Sequence, residues 1–138
     1  MGWGAVRVTA DTNILVRAAI DDDPKQTQRA RDILREAELV ALPLPVLCEF
    51  VWVARRGYRR TPQAILTSLH SLISASNVVV DQPAVEAGLV ALEAGGDFAD
   101  GVIAFSGRQI GGMVFASFDR RAVELVAASG GETRLLEA

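Results

Sequence analysis

Short apolar runs alternate along this chain with longer stretches in which apolar positions recur every three or four residues, the rhythm of buried strands separated by amphipathic helices. Val6 to Ala10 predicts a first strand, and Asp11-Thr12 follows as an N-cap before Ile14, Leu15, Ala18 and Ala19, which have helical spacing. Asp21-Asp22-Asp23 breaks the pattern. Pro24 then suits the first turn of a second helix through Ala30, Ile33, Leu34 and Ala37. Leu39 to Leu42 reads as a strand buried on both faces and closed by Pro43 and Pro45. Val46 to Arg55 reads as a helix apolar almost all round, which implies burial.

After a turn at Gly57, Thr61-Pro62 caps a helix carrying Ala64, Ile65, Leu66, Leu69, Leu72 and Ile73, and Val78 to Val80 makes a third strand. Pro83 to Ala94 is helical and stops at Gly95-Gly96, while Asp100 opens a helix that runs through Ile103 to Ile110. Met113 to Ala116 is a fourth strand, Arg121 to Ser129 a helix, and Thr133 to Leu136 a last strand. This order predicts an α/β protein with a parallel, doubly wound sheet. At 138 residues it fits one domain, 1–138, able to bury a core without disulfides. In such folds ligands bind beyond the carboxyl ends of the strands, so residues just after strands are where chemistry is sought.

Composition changes this picture in few places. Half the residues are apolar, yet no run approaches the roughly 20 uncharged residues of a membrane span. The start Met-Gly-Trp-Gly-Ala-Val-Arg lacks the pattern of an export leader, so a soluble, cytoplasmic protein is expected. Cys48, the one cysteine, lies among apolar residues and reads as a buried, inert thiol; His70, the one histidine, reads as structural. A net charge of −3 argues against holding nucleic acid by bulk electrostatics, so any such contact must be local. Every cation except Lys25 is arginine, a skew that coding bias explains before phosphate recognition does.

Several acids fit poorly as ordinary surface. Asp11 directly follows the first strand, where it is either an N-cap or a site residue. Glu49 has Val46, Trp52 and Val53 as helical neighbours, so its carboxylate needs a metal, an arginine or exposure at the helix edge. Asp100 stands at a helix start with Asp97 three residues earlier, and Asp119 follows the fourth strand. Gathered in one pocket, Asp11, Glu49, Asp100 and Asp119 would raise one another's pKa unless a divalent cation lay between them. An all-oxygen donor set selects Mg²⁺ or Mn²⁺, and such ions bridging a phosphodiester hydrolyse nucleic acid or nucleotides.

Thr9-Ala10-Asp11-Thr12-Asn13-Ile14-Leu15, Pro45-Val46-Leu47-Cys48-Glu49-Phe50, the run from Asp97 to Ala104 and the run from Phe115 to Ala122 together resemble the PIN-domain family. Within it the chain looks most like the toxins of bacterial VapBC toxin–antitoxin pairs. The resemblance covers essentially the whole chain. It implies a three-layer α/β/α fold with a central five-stranded parallel sheet, homodimers, and Mg²⁺- or Mn²⁺-dependent cleavage of RNA, with tRNA or rRNA as the expected class, suppressed by a VapB-like antitoxin. By position, Asp11, Glu49 and Asp100 would be the main metal ligands, Asp119 would support a second ion or orient water, and Asp97 would assist. Asn13 and Ser117 match small polar positions that would hold the carboxylates or water, or else serve as ordinary turn and cap residues. Arg55, Arg56, Arg59 and Arg60, with Arg120 and Arg121, are candidates for local phosphate contact, or simply a solvated basic helix end. Gly101, where many relatives carry a helix-favouring residue, and the acidic net charge depart from the pattern.

The first strand-to-helix turn lacks the glycine fingerprint of a dinucleotide fold, and neither a P-loop nor a Gly-x-Ser-x-Gly elbow is present. A phosphoacceptor receiver domain would need a late lysine, where only Lys25 exists. Two other readings stay open: a catalytically silent PIN-like module that binds protein or RNA, and a PIN nuclease of RNA processing that has no antitoxin.

Overall fold

The computed structural model describes residues 2–138, in the order β1 (Arg7–Thr9), α1 (Thr12–Ala19), α2 (Pro24–Glu36), β2 (Leu39–Ala41), α3 (Leu44–Trp52), α4 (Pro62–Ile73), β3 (Val78–Val79), α5 (Gln82–Glu93), α6 (Phe98–Gln109), β4 (Val114–Ser117), α7 (Arg120–Ala128) and β5 (Glu132–Leu135). The chain divides into two compact units, Met1–Asp81 and Gln82–Ala138. Among the described residues no helix is long and apolar enough to cross a membrane.

In the first unit β1, β2 and β3 form a parallel sheet in that order, with Val8 opposite Val40 and Val40 opposite Val78. Parallel neighbours require crossovers, and the helical segments between them supply these. Leu15, Val40, Leu42, Leu47, Phe50, Ile65 and Leu69 are buried to 2 % exposure or less. The helix starts follow the sequence closely. Asp23 accepts from Gln26 N ahead of Pro24, and Thr61 accepts from Ala64 N ahead of Pro62. At the end of α2, Asn77 donates its side-chain amide to Leu34 O at 2.8 Å and Ala37 O at 3.0 Å, tying the segment before β3 to two helix-end carbonyls. Asn77→Ala strands both acceptors and is expected to cost about 1–2 kcal/mol, read as a shift in urea midpoint at unchanged m.

The second unit holds β4 and β5, paired in parallel with Phe115 opposite Thr133, and α5, α6 and α7. Its core includes Val85, Leu89, Leu92, Phe98, Val102 and Val126. The helices α5 and α6 approach closely because the positions between them are small: a Cβ on Gly101 would lie 2.3 Å from Ala87 O and 2.8 Å from Ala91 Cβ. That contact explains a glycine where helix propensity alone disfavours one. The five expected strands are therefore present and parallel, as a three-stranded and a two-stranded sheet among the described residues.

Two helices differ from expectation. The helix expected over Val46 to Arg55 starts at Leu44, because proline is tolerated in a first turn, and its α-helical part ends at Trp52. A π-helical turn, Val53–Gly57, follows it, and Arg59 beyond has φ +53°. Nor is α3 buried all round: Leu47, Phe50 and Val51 face inward, while Trp52 is 60 % exposed and Glu49 is exposed beside it. The other difference is the start of α6, at Phe98 rather than Asp100.

Candidate active site

In the first unit the chain leaves β1 through Ala10, whose N–H extends the ladder to Ala41 O, and turns into α1 at Asp11. Asp11 is exposed and caps α1, its Oδ1 accepting from Thr12 N at 2.8 Å. The cap bond uses one oxygen and leaves Oδ2 without a hydrogen bond among the described residues. Asn13, also exposed, lines a groove between α1 and α2. Glu49 enters none of the ion pairs seen at Arg7–Glu38, Arg17–Asp22, Arg35–Asp32 and Arg35–Glu36. Of its readings from sequence, an ion pair with an arginine is not seen among the described residues, and exposure at the helix edge is.

In the second unit three acids are brought together. Asp97 caps α6 by accepting from Ala99 N at 3.1 Å, and Asp100 stands one turn further on. Asp119 caps α7, its Oδ1 accepting from Arg121 N at 3.0 Å and Ala122 N at 3.2 Å. Ser117 Oγ accepts from Asp119 N at 3.0 Å and so sets the approach to that cap. The Gly95-Gly96 turn links the two helix starts. Gly95 has φ +87° and its carbonyl accepts from the Arg121 guanidinium, while a Cβ on Gly96 would meet Leu125 of α7 at 2.3 Å. The turn ahead of Asp97 is thereby fastened to the helix that Asp119 caps.

Asp100 is half-buried, and this desolvation, together with the charges of Asp97 and Asp119, raises its pKa above the ordinary carboxylate value. The fold therefore favours its protonated form more than the unfolded chain does. The stability contributed by this group is complete below the unfolded pKa and is lost as pH rises through the raised one. In EDTA, the Tm of Asp100→Asn relative to wild type is accordingly expected to be more favourable at pH 7 than at pH 4; equal differences at both pH values would contradict the like-charge cluster.

In the first unit Arg55 and Arg56 lie on the π turn, Arg59 and Arg60 follow it, and all four are exposed. Arg120 is exposed at the start of α7, whereas Arg121 is engaged with Gly95 O. His70 is exposed on α4, and Cys48 is half-buried on α3. Among the described residues no three His, Cys, Asp or Glu side chains are grouped closely enough to hold a metal ion. The donor chemistry is of the kind a hard divalent cation takes: Asp97, Asp100 and Asp119 offer carboxylate oxygens alone, and a cation would offset the burial and like charges that disfavour ionised Asp100.

The helix expected from Asp100 starts at Phe98, and Asp97 followed by Asp100, the spacing of an N-cap and an acidic third helical position, is the signal in the sequence for that earlier start. No local pattern marks the clamp from Arg121 to Gly95, which depends on where two turns meet.

An α/β protein with acids capping the helices that follow β1 and β4 belongs to a class whose sites form at the carboxyl ends of parallel strands. The PIN domain family model matches residues 8–128, and the chain belongs to the PIN domain family, a nuclease-type fold. A comparison with curated proteins finds no match.

Proposed function

We propose that this chain is a single-domain PIN endoribonuclease dependent on Mg²⁺ or Mn²⁺, acting in the cytoplasm as the toxin of a type II toxin–antitoxin pair. The observation that carries the nuclease reading is Asp100, a half-buried carboxylate facing the charges of Asp97 and Asp119, in a chain of this family. One family match running through both compact units supports a single domain.

In this reading Asp11, Glu49, Asp100 and Asp119 hold the ion, with Asp97 in support. A bound divalent ion supplies Lewis-acid polarisation of the phosphodiester and a water of lowered pKa. The residues do the positioning. Backbone N–H groups fix Oδ1 of Asp11 and of Asp119, presenting the second oxygen of each in a set orientation. Ser117 steadies Asp119 from behind. Arg55, Arg56, Arg59, Arg60 and Arg120 neutralise RNA phosphates locally, which suits a protein of net negative charge.

The antitoxin is a small VapB-like protein. A groove of about 720 Å³ on the first unit, floored by Leu15, Leu34 and Leu72 and edged by Arg31 and Arg35, suits an amphipathic segment carrying acids at its rim. The chain works as a homodimer on tRNA or rRNA.

The test is incubation of total bacterial RNA with pure protein in Mg²⁺, in Mn²⁺ and in EDTA, followed by mapping of the cut ends. Discrete cuts that require metal support the nuclease. Absence of metal-dependent cleavage of any RNA overturns it in favour of the silent binding module.

A further inference from the structure

We propose that the groove between α1 and α2 beside Asp11 is a subsite for one unpaired nucleobase of the RNA strand being cut; this rests on the nuclease reading above. The groove has a volume of about 630 Å³, within the range of small-ligand pockets and roomy for a nucleoside. It lies within the first unit and is lined by Trp3, Asn13, Gln26 and Arg29 over a floor that includes Ile14 and Ile33.

Each wall matches a part of a nucleotide. Trp3 is 39 % exposed, so its indole contributes an aromatic face on which any base can stack. Asn13 and Gln26 carry side-chain amides, groups that pair with the donor and acceptor edges of bases. Charge singles out the phosphate contact. Arg17 is held by Asp22 at 2.7 Å, and Asp32, the carboxylate at the groove, is paired through Oδ1 with Arg35 at 2.9 Å and Gln28 at 2.8 Å. Arg29 makes no ion pair or hydrogen bond among the described residues, so its guanidinium remains available to a phosphate.

Position connects the groove to the chemistry. Asp11 caps α1 and Asn13 stands in its first turn, about 3 Å further along the axis at 1.5 Å per residue. A base turned out next to the phosphate at Asp11 would reach the groove mouth without leaving its own strand. The segment supplying Trp3 closes a turn through the bond from Val6 N to Trp3 O at 3.0 Å, and Glu38 N, donating to Val6 O at 2.9 Å, ties the end of that turn to the chain entering β2. Preference for cutting in single-stranded loops, where a base can be turned out without breaking a pair, follows from this arrangement.

The experiment uses the full chain carrying Trp52→Phe, which leaves Trp3 as the sole tryptophan. In EDTA it is titrated with a single-stranded hexaribonucleotide of mixed sequence and with one of the same length whose nucleotides are all abasic. Saturable quenching of Trp3 fluorescence by the first alone is expected. With Mn²⁺ present, Trp3→Ala and Arg29→Ala are each expected to raise KM about tenfold while kcat changes little, and Trp3→Phe to restore most of the loss. Cleavage by wild type with no quenching, and unchanged KM in Trp3→Ala, would overturn the subsite and leave the nuclease standing. Base-dependent quenching without any cleavage would keep the groove as a base-binding site but overturn the nuclease, and with it the groove's role beside a cut strand; absence of both would overturn the two together.

Discussion

Asp100→Asn is expected to reduce metal-dependent RNA cleavage by roughly 10²–10³-fold while leaving the protein folded. The substitution keeps the shape of the side chain and removes the charge on which the proposed ion depends. Asp100 is the acid whose environment most plainly asks for a cation, since burial and two neighbouring carboxylates all oppose its ionised form. For the same reason its removal relieves repulsion in the metal-free fold, so activity and stability should move apart. A variant that lost activity only because it unfolded would lose both. The check is a single-turnover cleavage rate in Mn²⁺ beside a thermal melt in EDTA. Added Mn²⁺ should raise the Tm of wild type by mass action, by the equivalent of about 2.7 kcal/mol at a hundred times Kd, and should scarcely move the variant.

Gly101→Leu is expected to lower stability by about 3 kcal/mol or more, a fall in Tm of roughly 10 °C. The new side chain would start 2.3 Å from the Ala87 carbonyl oxygen, a backbone atom of α5 that cannot turn aside as a side chain would. Ala91 blocks the neighbouring direction at 2.8 Å. Leucine gains nearly 1 kcal/mol over glycine in helix propensity, so a net loss of this size requires that packing dominate. A melt at pH 7 decides the matter: a Tm equal to or above wild type would mean that α5 and α6 can separate without cost. Gly101 also lies next to Asp100 in sequence, so the variant should lose cleavage by displacing α6.

Most elements were legible in the sequence because local chemistry marks them. Thr61-Pro62 and Asp23-Pro24 announce helix starts through a side-chain acceptor and a fixed proline φ, and both helices start there. The strands were readable as short apolar runs, and each lies within about a residue of its expected place at either end. What escaped depends on partners distant in sequence. The π turn after Trp52 reflects how one helix end meets its surroundings, and the exposed side of α3 was hidden because an apolar stripe does not say whether anything covers it. Among the site residues, Asp11 and Asp119 could be placed at strand ends from the chain pattern, and both cap the helices that follow. The influence of Asp97 and Asp119 on Asp100 is a tertiary effect, and the bond from Arg121 to Gly95 O that fastens the turn ahead of Asp97 to α7 is another. Gly101 read as a departure from its relatives until the position of Ala87 O supplied the reason.

The most direct test of the central claim is the rate of RNA cleavage in Mn²⁺ by wild type, Asp11→Asn, Asp100→Asn and the double variant. Acids that serve one ion act as a unit, so each single substitution should remove nearly all activity and the double should be no slower than the worse single. Full activity in either single variant, or losses that multiply in the double, would contradict the account.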